Sequence, residues 1–174
     1  MSDVSGALYD PTLDASNFPV FAEVARELRA YHDELWHSWV PSALGLKPAA
    51  VCIQVRESSD AGYSVKDDTI YLFLIESDIE DVQLEPVRRA NGMTHPSRKT
   101  RGIEWSLVRG QLLHEMMHEY QFKVVKEPSV AGELLFATTR ARFAGPGHDA
   151  RFYTAIATLA SHFELTPEAF AQEL

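Results

Sequence analysis

The apolar positions along the chain change period several times, and each change marks an element. From Phe18 onward Phe21, Val24, Leu28, Tyr31, Leu35 and Trp39 recur at spacings of three and four. This is one face of an amphipathic helix, and it must stop before Pro41. Asn17 is placed to cap it. The period then shortens. "AVCIQVR" (50–56) reads as a strand, and "TIYLFLIE" (69–76) reads as a second one. The second is apolar almost throughout, the pattern of a central strand covered on both faces. "ESSDAGYS" between them reads as a loop. Residues 77–101 carry no period and contain Pro86, Gly92 and Pro96, so a long loop is expected there.

Helical spacing returns from about Ile103 to about Val125. A second helix fits 129–142, weakened by Gly132. "GPG" (145–147) is a turn, and 148–163 is helical with Phe152, Ile156, Leu159 and Phe163 on one face. Thr166 and Pro167 predict the N-cap and first residue of a short final helix. Residues 1–17 are polar and turn-rich and read as a flexible N-terminal arm, leaving 18–174 as one domain. The predicted class is α+β. A small sheet packs against the N-terminal helix and the 103–125 helix, with further helices after it.

Length and composition agree with one domain: 174 residues, 45% hydrophobic and 24% charged. The formal net charge of −9 argues against general nucleic-acid binding, which needs a basic surface. The exception is local, because 88–101 carries Arg88, Arg89, Arg98, Lys99 and Arg101. The single cysteine, Cys52, excludes an internal disulfide and a cysteine zinc ribbon, and its apolar setting predicts a buried, unreactive thiol. The N-terminus has neither the basic start nor the apolar core of a signal peptide, and no run approaches the roughly 20 apolar residues of a membrane span. A cytoplasmic protein without membrane contact is expected.

The chemistry concentrates in "LLHEMMHEYQ" (112–121). Histidines at i and i+4 lie on one side of a helix, one turn apart, and both imidazoles can reach one ion. His114 and His118 have this spacing. Glu115 is rotated about 100° from His114 and flanks the ion, where a carboxylate takes a proton from a zinc-activated water. This is the H-E-x-x-H pattern of zinc peptidases. A third ligand is required. Extension of the motif along the helix fails, because the needed glycine and histidine positions hold Gln121 and Val124. His148, after "GPG", is one candidate and Glu133 is its rival. His162 is about 21 Å beyond His148 along a continuous helix and cannot share its ion. His32, His37 and His162 read as surface or internally satisfied histidines, and His95 falls in the long loop.

"LLHEMMHEY" followed by "GHDARFYTAI" resembles the SprT-like metallopeptidases. Similarity to that family implies a zincin-like domain over about 18–163. It implies zinc held by His114, His118 and His148, Glu115 as general base, Phe152 as the aromatic residue after the third ligand, and a protein or peptide substrate. The order of helix, strand, loop with "AGY" and strand "TIYLFL" also matches. Asp149 stands where glycine is common in the family, and the cysteine-rich zinc ribbon of many relatives is absent. Among other residues, Tyr120 or Tyr153 could donate to the oxyanion, and Glu119 or Asp149 could orient a ligand imidazole. Two other readings are open. One is an ImmA/IrrE-like regulatory peptidase with Glu133 as third ligand. The other is a non-catalytic metal-containing module that binds a partner or nucleic acid through 88–101.

Overall fold

The computed structural model describes residues 10–56, 61–75, 107–139, 143 and 145–174. The basic stretch 88–101, with His95, lies outside them, as does 103–106 of the expected metal-bearing helix.

Helix α1 spans Pro19–Trp39 and buries Val24, Ala25, Leu28, His32, Trp36 and Trp39. Asn17 does not cap it. Phe18 is the N-cap and makes no side-chain capping bond, while Pro19 supplies a preset φ at the first position. The Asn17 amide instead donates to the Pro11 carbonyl at 3.0 Å. Nor are 10–17 a loose arm. Asp10 and Asp14 each cap a short 3-10 turn, Ala15 is fully buried, and Asp14 forms a bridge to Gln54.

Three strands follow: β1 (Ala50–Val55), β2 (Gly62–Ser64) and β3 (Thr69–Leu74), in the order β1-β3-β2. β3 is central, as its apolar run predicts, and buries Ile70, Leu72, Phe73 and Leu74. It is parallel to β1, with Ala50 opposite Thr69 and Val55 opposite Leu74. β2 runs antiparallel to it, with Gly62 opposite Tyr71 and Ser64 opposite Thr69. β2 corrects the loop expected at 57–64 in its last three residues, while 57–60 lie outside the described residues. Three residues with a glycine carry no alternation of their own, and the strand exists because β3 offers it an edge. The reversal at Val65–Asp68 ends with Asp68 at φ +48.

Helix α2 (Leu107–Lys123) is the centre of the molecule. It packs on β2, β3, α1 and α4 (Ala150–Leu159). Its apolar residues Val108, Leu112, Leu113, Met116, Met117 and Tyr120 are buried, and so are Arg109, Glu115, His118, Glu119 and Gln121. A helix enclosed on all sides must satisfy those polar groups internally, which decides what each can do.

Helix α3 (Val130–Thr139) lies along α4, and Gly132 is the contact: a Cβ there would strike the Thr154 side chain and backbone. The expected helix 148–163 is shorter at both ends. Asp149 caps α4 by accepting from the Arg151 and Phe152 amides, so His148 sits just ahead of the helix and not within it. After Leu159 the backbone tightens into a 3-10 turn, Ala160–Phe163. Helix α5 (Pro167–Ala171) has the expected cap, with Thr166 accepting from the Ala169 amide. No described helix is long and apolar enough to cross a membrane.

Candidate metal centre

Helical spacing brings His114 and His118 to one side of α2, and the 145–147 turn brings His148 back onto them. Gly145 takes φ +101, a conformation that favours glycine, and the Asp149 cap stops the backbone immediately after His148. The three imidazoles converge. His114 Nε2 lies 3.0 Å from His148 Nε2, and His118 Nε2 lies 3.2 Å from it. These three residues form the one group among the described residues whose ligand atoms could hold a metal ion, all within 4.8 Å of one another.

The donor set fits zinc. Two nitrogens bound at about 2.0–2.1 Å with a tetrahedral angle are about 3.3 Å apart, close to both measured separations. Three imidazoles are one ligand short of the four that a tetrahedral ion takes. Burial holds His114 down to about 3 and His118 down to about 4, and the neighbouring histidines add to the effect at His114. Both rings are therefore neutral at pH 7 and present lone pairs. The His118 tautomer is fixed as well. Its Nδ1 lies 2.9 Å from Gln121 Oε1, an atom that only accepts, so Nδ1 carries the proton and Nε2 is free to bind. His114 has a backbone hydrogen bond with Leu174.

Glu115 is 7% exposed. Burial lifts its carboxyl to about 8, against a backbone hydrogen bond from Tyr63 on β2 that favours the ionised form. A cation beside it would favour the carboxylate and draw that value back down. The arrangement thus offers three imidazoles and one buried carboxyl whose charged form burial disfavours.

The walls of the centre are aromatic. Phe152 is fully buried, with ring centroids 4.5 Å from His118, 4.7 Å from His148 and 5.3 Å from His114. Phe143 stacks on His148 at 5.4 Å and meets His114 edge-on at 5.2 Å.

The other candidates are placed elsewhere. Glu133 is exposed on α3 and is not in the cluster. Glu119 is neither a partner of a ligand imidazole nor a solvated charge. It is fully buried, bonded to His32 Nε2 (2.8 Å), the Ala49 amide (2.6 Å) and Lys123 Nζ (3.0 Å). Tyr153 is committed to packing, and its hydroxyl donates to the Thr139 carbonyl at 3.2 Å. Tyr120 is rotated about 200° from His118 around α2. His37 pairs locally with Asp33, and His162 is exposed against Trp39. Cys52 is half-buried rather than enclosed, and burial pushes its thiol up to about 11, which keeps it protonated and unreactive.

Three contributors escape sequence reasoning: Gln121, the Tyr63 backbone and Phe143. Only Gln121 had a readable signal, since it follows His118 by three residues and shares its helix face. No known protein-family model, curated protein or solved structure matches the chain.

Proposed function

We propose that the chain is a zinc-dependent peptidase of the SprT-like type, acting on a protein or peptide substrate. One observation carries this reading. The two histidines of an H-E-x-x-H helix and a histidine thirty residues further on turn their Nε2 atoms to a common point, with the motif glutamate buried beside them.

His114, His118 and His148 would hold the ion. When bound, zinc supplies Lewis-acid polarisation of the scissile carbonyl and acidifies a water. The remaining work belongs to the chain. Glu115 accepts the proton of the attacking water and delivers it to the departing amine. The Tyr63 backbone hydrogen bond keeps the carboxylate aimed during both transfers. Phe143 and Phe152 keep bulk water from the ligand rings, which strengthens each electrostatic contact inside.

Two variants test this together. Glu115→Gln is expected to keep its zinc and lose hydrolysis of a labelled casein substrate by at least about 100-fold, the usual lower bound for a general base. His148→Ala is expected to lose both. Wild-type rates in Glu115→Gln, or full zinc occupancy in His148→Ala, would overturn the reading. The second result would return attention to Glu133.

A further inference from the structure

We propose that Gln121 is a positioning residue that assembles the metal centre, by locking the His118 tautomer and tethering the His148 segment to α2. The inference rests on the reading of the three histidines as a metal site. Gln121 is 1% exposed, and both polar atoms of its carboxamide are hydrogen-bonded. Oε1 accepts from His118 Nδ1 at 2.9 Å. Nε2 donates to the Gly147 carbonyl at 3.1 Å and to Asp149 Oδ1 at 2.9 Å. The orientation of the amide is not interchangeable. A flip would set the NH2 group against the imidazole N–H and the oxygen against two acceptors.

These three contacts bracket the centre. One reaches a ligand on the same helix, and the other two reach the residues on either side of His148. Asp149 is in turn held by the Arg151 and Phe152 amides, at 2.9 and 3.3 Å, so the tether ends on the cap of α4. One side chain therefore fixes the relative position of two ligands that lie thirty residues apart in the chain. The residue that rules out a longer zinc motif in the sequence is the one that joins its substitute ligand to the helix.

The chemistry makes a specific demand. Position 121 needs an acceptor toward His118 and donors toward Gly147 and Asp149. Methionine has neither. Glutamate keeps the acceptor but sets a carboxylate against Asp149. Asparagine at 149 would not relieve this, because the same oxygen, Oδ1, accepts from Gln121 and from the Arg151 and Phe152 amides.

The test titrates wild type, Gln121→Met and Gln121→Glu with Zn2+ against a chromophoric chelator. It also records the visible d–d bands of each protein with Co2+ and the thermal unfolding of each metal-free protein. Gln121→Met is expected to bind Zn2+ about 10–100-fold more weakly, as loss of an outer hydrogen-bond partner does elsewhere. Its Co2+ bands should shift, and its metal-free melting temperature should stay within a few degrees of wild type. Gln121→Glu, which keeps the acceptor toward His118 and loses both donors toward the His148 segment, should weaken binding as well. Should Gln121→Met fail to fold, Gln121→Glu carries the test. Unchanged affinity and Co2+ bands in the variant that folds would overturn the proposal. A wild type that binds neither ion would instead bring down the metal reading and this proposal with it.

Discussion

A buried carboxyl next to three imidazoles leaves a trace in stability that is separate from catalysis. In metal-free protein Glu115 titrates near 8 instead of 4.5. Its folded-state value is raised, so its contribution is fully present below about 4.5 and is lost as pH rises through about 8. Glu115→Gln removes this linkage and leaves the histidines unchanged. With chelator present, the urea midpoint of wild type should therefore fall relative to Glu115→Gln between pH 5 and pH 8. A constant difference between the two would show that Glu115 is not held protonated. Single residues also mark what can be read from the chain. His114, Glu115 and His118 are legible because helical spacing alone puts them together, and His148 because a turn and a helix start surround it. Gln121 is legible only in its contact with His118, since its other two partners lie 26 and 28 residues away.

At the scale of elements, the structure keeps helices where periodicity puts them and departs where an element depends on a neighbour. β2 has no pattern because pairing with β3 creates it. The early start expected for α4 reflects helix-compatible residues at 148–149, but the Asp149 side chain competes for the first-turn amides and ends the helix there. Gly132 reads as a weakness of α3, yet its role is contact: the Thr154 backbone occupies the space a Cβ would need. Rearrangement of a side chain cannot relieve that clash. Gly132→Ala should push α3 from α4 and cost about 1–3 kcal/mol in urea unfolding, despite the higher helix propensity of alanine. A neutral or stabilising effect would mean that the helices do not approach so closely.

Across the whole molecule, one polar chain joins parts that the hydrophobic core alone would leave free to slide. His32 of α1 meets Glu119 of α2, and Glu119 holds the entrance to β1 through the Ala49 amide. Lys123 links Glu119 to Asp68 at 2.6 Å, and the Tyr63 hydroxyl donates to the same carboxylate at 2.8 Å. Breaking a buried pair by removing one partner strands the other, so Glu119→Ala should cost about 3–5 kcal/mol by urea unfolding. A loss below about 1 kcal/mol would show that the network does not hold the layers. None of this is visible in the sequence, where Glu119 reads as a residue that could orient a ligand imidazole, because burial is decided by what encloses α2. The Gln121 tether has a consequence of another kind. Since it grips the residues flanking His148 directly, the length of the loop that leaves α2, where Lys126 and Glu127 are exposed, does not set the position of that ligand. Closing a longer flexible path costs only about 0.6 kcal/mol per doubling of its length. The loop between α2 and α3 is therefore more open to insertion than α3, which packs on α4, or Phe143, which walls the centre. A homologue with a longer loop there, but with α3, the glutamine and the aspartate cap in place, would have the same metal-binding geometry.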